Sequence, residues 1–132
     1  MGQEYRRTAT TVSLINYHFV FCPRYRRTVL VKQVEVRFKE LVSTICGEHE
    51  WQVIAMEVMP DHVHLFLNVV PTYSPSDIMA KLKGATSRIL PQEFEHLKHL
   101  PSLWTRSYFV STAGNISSET IKRYVEEQKT RG

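Results

Sequence analysis

The sequence predicts an α+β domain: a four-stranded antiparallel sheet backed by two helices, with one more helix at the C-terminus. Two observations carry this. Stretches of two-residue apolar alternation and of 3.6-residue periodicity follow one another in the order β-α-β-β-α-β. The chain has 132 residues, 42% hydrophobic and 23% charged, enough for one core and one domain over residues 1–132.

Residues before Thr11 are polar and read as a loose arm. Ser13 to Cys22 is β-branched and aromatic, so it is a strand, and its apolar content places it centrally. Asn16 and His18 share one of its faces. Pro23 ends it. Arg24, Tyr25, Arg26 and Arg27 then form a loop in which three guanidiniums surround a tyrosine, a composition suited to a nucleic-acid backbone. From Val31 to Cys46 the stripe Val34, Phe38, Leu41, Val42 and Ile45 marks a helix, with Gly47 as its stop. His49 follows in a polar turn and is given no chemical role.

The hairpin Trp51 to Asn68 is the centre of the chain. Trp51–Met59 is one strand, Pro60-Asp61 a tight turn, and His62–Asn68 the return strand. His62 and His64 project from one face, roughly 7 Å apart at Cα, a workable spacing for two imidazoles on one metal ion. A two-residue loop sets Met59 opposite His62 and Glu57 opposite His64. Glu57 would then stand beside the imidazoles. Ile54, Met56 and Val58 would join Val63, Leu65 and Leu67 on the apolar face. Pro60 does not suit the primed turns that two-residue hairpins favour, so the loop type is left open.

Pro71 to Pro75 is a loop. Ser76-Asp77 starts a helix running towards Leu90, with Ile78, Leu82, Ala85, Ile89 and Leu90 inward. Lys81, Gly84 and Arg88 share another side, with Lys83 nearby, forming a second basic group. Gly84 in mid-helix costs about 1 kcal/mol against Ala, which close approach of a backbone would explain. Pro91 to Pro101 is irregular, and His96 and His99 are assigned to its surface. Leu103-Trp104 is a short strand and Tyr108–Thr112 the fourth main one. Ala113-Gly114-Asn115 is a turn, and Ser117 can cap a last helix over Ile121–Lys129. That helix is thinly apolar, so it is expected to be mobile or docked on another subunit. Tyr124 and Gln128, four apart, stack on one of its faces. The whole order is ferredoxin-like.

Composition sets the bounds. The formal charge is +4, consistent with a phosphate-rich partner. No apolar run reaches membrane-span length, and the N-terminus lacks the centre of a signal peptide. Cys22 and Cys46 form neither a zinc spacing nor a disulfide framework. A reducing, cytoplasmic setting is expected.

Three stretches together carry a resemblance: Met59-Pro60-Asp61-His62-Val63-His64-Leu65, Trp104-Thr105-Arg106-Ser107-Tyr108-Phe109-Val110 and Tyr124-Val125-Glu126-Glu127-Gln128. With Tyr17-His18-Phe19-Val20, Pro23-Arg24-Tyr25-Arg26 and Lys83-Gly84-Ala85, they resemble the HUH single-tyrosine transposases of the insertion-sequence 200/605 family, over essentially the whole chain. The resemblance implies that His62, His64 and Gln128 hold Mg²⁺ or Mn²⁺ and that Tyr124 is the nucleophile. It implies single-stranded DNA with small hairpins at element ends as substrate, and a homodimer that can exchange its C-terminal helices. Glu57 is an inferred candidate for orienting the metal or a water.

Other readings predict different behaviour. One is a domesticated relative acting on dispersed palindromes. Another is a ferredoxin-like nucleic-acid module without catalysis, indifferent to Tyr124→Phe. The third is a metal phosphodiesterase using water, which leaves free 5′-phosphate ends and no protein–DNA adduct.

Overall fold

The computed structural model describes residues 4–112 and 126–128. Its elements are β1 (Arg6–Arg7), β2 (Val12–Ser13), β3 (Ile15–Phe21), α1 (Lys32–Glu48), β4 (Gln52–Met59), β5 (His62–Val69), α2 (Pro75–Glu93) and β6 (Phe109–Ser111). Short 3-10 turns lie at Arg24–Arg26 and Glu95–Leu97. The main sheet runs β4-β5-β3-β6, with every neighbouring pair antiparallel. This is the expected ferredoxin-like α+β arrangement. The turn at Ala113-Gly114-Asn115, the Ser117 cap and Tyr124 lie outside the described residues.

Alternation gives the sheet two unlike faces. Phe19, Phe21, Val63, Leu65, Leu67 and Val69 form one core with Val34, Phe38, Val42, Ile78, Leu82 and Leu90 of the helices. The opposite face carries Asn16 and His18 of β3, His62, His64, Phe66 and Asn68 of β5, and Phe109 and Ser111 of β6. Among the described residues, no helix is long and apolar enough to cross a membrane.

The hairpin register is as expected: Met59 pairs with His62 and Glu57 with His64. Neither Pro60 nor Asp61 takes a positive φ, so the turn is not of the primed type. Further along, a bulge between Val53 and Ala55 shifts the register. Ile54 is the extra residue and is 46% exposed, so it does not join the apolar face. Val53, opposite Leu67, takes its place.

Four other expectations change. The arm before Thr11 is not loose: β1 pairs with β2, and Arg6 donates from Nε to Asn68 Oδ1 (2.5 Å) and from Nη2 to the Glu50 carbonyl (2.8 Å). Gly47 does not stop α1, which continues to Glu48. The left-handed residue is Glu50, at φ 59°. Glu50 N–H donates to the Gly47 carbonyl and Trp51 N–H to that of Cys46, the paired bonds of a Schellman end, with Trp51 capping it by burial. Finally, a Cβ built on Gly84 meets nothing within 4 Å among the described residues, so no close approach explains that glycine. The helix around it starts earlier than expected, at Pro75, with Ser74 and Asp77 closing a capping box.

Candidate active site

His62 and His64 sit at the turn end of β5, both half-buried, with ring centroids 5.1 Å apart. A polar partner holds the Nδ1 atom of each. His62 Nδ1 lies 2.8 Å from Asp61 Oδ1. Burial pushes the Asp61 carboxyl up, but hydrogen bonds from His62 and Arg26 outweigh it and hold the group below its ordinary value. Asp61 is therefore ionised at neutral pH and can only accept, so the proton of a neutral His62 sits on Nδ1 and the lone pair on Nε2. His64 Nδ1 lies 3.2 Å from Nε2 of His18. In the tautomer that carries the proton on Nδ1 and donates to His18, Nε2 of His64 keeps its lone pair. Burial first, and the neighbouring imidazole second, lower the pKa of both His18 and His64, so both are neutral at pH 7. Imidazoles whose Nδ1 atoms are held by polar partners have the arrangement of metal-ligating histidines with their outer-shell partners.

His18 is held in turn. It stacks on Phe66, 4.0 Å between centroids and 10° from parallel. Asp61 is held by Arg26, whose Nε and Nη2 both donate to Oδ2 at 2.9 and 2.5 Å. Glu57 lies across the ladder from His64, exposed, and its charge opposes the lowering of the His64 pKa.

Gln128 is buried at 1% exposure, and its Oε1 accepts from Ser107 Oγ at 3.1 Å. The 105–107 loop is fixed by Lys83, whose Nζ donates to the carbonyls of Thr105 (2.9 Å) and Ser107 (2.8 Å). Burial lowers the Lys83 pKa to about 8. Among the described residues, His, Cys, Asp and Glu side chains make no group of three suited to a metal. The cysteines are free and buried, and burial raises both thiols to about 12, which leaves them unreactive.

The basic residues divide into two kinds. Arg27, Lys81 and Arg88 are exposed, Arg24 is half-buried, and the guanidinium carbons of Arg24 and Arg27 sit 5.5 and 5.3 Å from the centroid of the exposed Tyr25 ring. Arg26 and Lys83 are turned inward, onto Asp61 and the 105–107 loop. Sequence reasoning grouped them with the surface cations and missed their scaffolding bonds. It also missed Asp61, read as a turn residue, and His18, whose face was recognised but not its partner. Placing β3 beside β5, as a ferredoxin-like order requires, was the available signal for His18. His49 is structural, with Nδ1 3.2 Å from Tyr73 Oη and its ring stacked on Trp51. His96 and His99 are exposed as expected.

The chain matches the family model described as "Transposase IS200 like" over residues 11–128. It is 34% identical over 128 residues to the ISDra2 transposase TnpA of Deinococcus radiodurans, covering 95% of this chain and 91% of that protein. It is 31% identical over 135 residues to the transposase for insertion sequence element IS200 of Salmonella typhimurium, covering 98% and 88%. The crystal structure of a candidate transposase from Deinococcus radiodurans superposes with a TM-score of 0.86 at 34% identity, over 93% of this chain and 97% of that one. A REP-associated tyrosine transposase bound to a REP hairpin shares the fold at 16% identity, with a TM-score of 0.59 over 95% and 69%. Fold and comparisons together define the chain as a transposase. It belongs to the IS200-like transposase family.

Proposed function

We propose that this transposase cuts and rejoins single-stranded DNA at element ends through a covalent bond to Tyr124, assisted by a divalent cation on His62, His64 and Gln128. The observation that carries the reading is the His62/His64 pair on one sheet face, with the Nδ1 atom of each held by a polar partner. The donor set fits a Mg²⁺-type site: two imidazoles and an amide oxygen leave coordination positions for phosphate oxygens and water. Imidazole is softer than Mg²⁺ prefers, so Mn²⁺ is expected to bind more tightly. When bound, the cation supplies charge that polarises the scissile phosphate and stabilises the charge developing on it.

In the proposed step the phenol oxygen of Tyr124 attacks phosphorus as its proton leaves, and the bond from phosphorus to the 3′ oxygen breaks. The products are a 5′-phosphotyrosine and a 3′-hydroxyl. A different 3′-hydroxyl can reverse the step, so strands are joined without a nucleotide cofactor. Glu57, beside His64, is suited to orienting a water at the site. Arg27, Lys81 and Arg88 supply exposed charge, with the half-buried Arg24 beside them, and Tyr25 a stacking ring, for the DNA backbone and its bases; the inward pair Arg26 and Lys83 supports the site instead. A hairpin substrate and a homodimer complete the proposal. The hairpin-bound structure of a protein with this fold supports the first.

The test is incubation with hairpin-bearing single-stranded DNA and Mn²⁺, followed by a denaturing gel. A slow-migrating covalent species that disappears in Tyr124→Phe is expected. Cleavage with free 5′-phosphate ends and no adduct would favour the water-using phosphodiesterase, and binding with neither would favour a non-catalytic module.

A further inference from the structure

A series of ion pairs and hydrogen bonds links the C-terminal segment to His62. Glu126 and Gln128 belong to the same segment. Gln128 is held by Ser107, while Glu126 Oε1 lies 3.5 Å from Nη1 of Arg26. The other edge of that guanidinium grips Asp61 Oδ2 through Nε and Nη2, and Asp61 gives its second oxygen to His62 Nδ1. Glu126, Arg26, Asp61 and His62 thus form an unbroken series.

Two features separate this series from an ordinary surface pair. The Arg26 side chain is only 13% exposed, and its Nη1 is buried with no hydrogen-bond partner among the described residues. A buried donor without a partner is costly, and the Glu126 carboxylate lies within ion-pair range of it. Arg26 is also held in an unusual backbone. Tyr25 and Arg26 have φ of 59° and 52°, two successive non-glycine residues in the left-handed region, where side chains are disfavoured. Such strain persists where surrounding bonds over-determine it. Here Arg24 N–H donates to the Leu103 carbonyl and Arg26 N–H to that of Pro23.

We propose that Arg26 is a positioning residue that couples docking of the segment carrying Gln128 to the orientation of His62. The guanidinium is divided between Glu126 and Asp61, so each hold on it depends on the other. Docking of Glu126 keeps Arg26 aimed at Asp61, and Asp61 keeps the proton of His62 on Nδ1. His62 and Gln128 therefore become competent together. The inference rests on the proposed roles of these two residues as ligands, and its test separates the two ideas.

Full-length protein is labelled with ¹⁵N at histidine, and the His62 tautomer is read in metal-free protein by long-range ¹H–¹⁵N correlation. Mn²⁺ affinity is measured in parallel by titration calorimetry. Glu126→Gln is expected to raise the Nε2–H tautomer of His62 and to weaken Mn²⁺ binding by about fivefold. Arg26→Gln is expected to do the same more strongly, with about tenfold weaker binding. With Arg26→Gln in place, Glu126→Gln should add nothing further. Should Arg26→Gln fail to fold, Arg26→Lys, which keeps the charge and loses the fork, takes its place with the same expectation. The coupling is overturned if Glu126→Gln leaves both the tautomer and the affinity unchanged, or if its effect survives in the Arg26 variant. Absence of Mn²⁺ binding in the unmodified protein would instead defeat the ligand assignment, and the metal-free tautomer would still decide the coupling.

Discussion

Replacing Lys83 by Met tests the support beneath Gln128, and the outcome depends on pH. The substitution removes an ammonium that bonds two carbonyls in the 105–107 loop. The Ser107 carbonyl keeps the Thr105 hydroxyl at 3.1 Å, so the Thr105 carbonyl is the one that loses its partner, at about 1–3 kcal/mol. Against this, burial lowers the Lys83 pKa from 10.5 to about 8, so the fold bears a cost for holding the charged form. That gap corresponds to about 3 kcal/mol at neutral pH, trimmed to about 2 kcal/mol by residual solvent screening at a half-buried site. The two effects largely offset, and Lys83→Met should lose only about 1 kcal/mol near pH 7. The sign of the pH dependence follows from the folded pKa lying below the unfolded one. Between about pH 8 and 10.5 the unfolded chain holds more protons, so the Lys83 contribution makes the native protein more stable as pH rises through that window. Cys22 and Cys46 act the other way, because burial raises their thiols from 9.0 to about 12 and the fold keeps their protons. They are present in both proteins, and Lys83 is the smallest of the influences named for Cys22. The difference between wild type and variant therefore isolates Lys83. Urea unfolding at pH 7.5 and pH 10 should show that difference widening by about 2 kcal/mol at the higher pH. A difference that stays the same at both pH values would refute the buried-ammonium account.

Other expectations follow from single contacts. Glu50→Gly should raise the urea midpoint by about 1 kcal/mol of stability, because it relieves a left-handed residue at the end of α1; a lower midpoint would contradict the Schellman assignment. His18→Phe keeps a ring against Phe66 but removes the partner of His64 Nδ1, so Mn²⁺ affinity measured by calorimetry should fall about tenfold. Unchanged affinity would remove His18 from the site. Arg27→Ala and Lys81→Ala should each lower the slope of log affinity for single-stranded DNA against log salt by about 0.7, for one lost phosphate contact. An unaltered slope would place the DNA elsewhere.

The hairpin was legible because its pattern is local. A two-residue turn between alternating strands sets Glu57 against His64 with no knowledge of the rest of the fold. The bulge was not legible, since Val53-Ile54-Ala55 is a run of small and apolar residues with no polar marker to show which one leaves the ladder. The end of α1 was misplaced for a related reason. Glycine is the usual left-handed stop, but here Gly47 stays helical and Glu50 takes that conformation, held by Trp51 burying itself behind it. The bonds that aim the histidines were hidden because they span the chain. Arg26 meets Asp61 and His18 meets His64 only after β3 settles beside β5. Lys83 misled for another reason: a lysine on a helix is ordinarily solvated, and nothing in its neighbours announces the two carbonyls that turn it inward.

The residue to which DNA becomes attached identifies the nucleophile. After reaction with hairpin-bearing single-stranded DNA and Mn²⁺, the protein is digested with nuclease and trypsin and its peptides are weighed. Trypsin cuts after Arg123 and Lys129, so the residual nucleotide mass should fall on the peptide from Tyr124 to Lys129, at its tyrosine. Attachment to any other residue, or strand cleavage with every peptide unmodified, would contradict the assignment of Tyr124 as nucleophile.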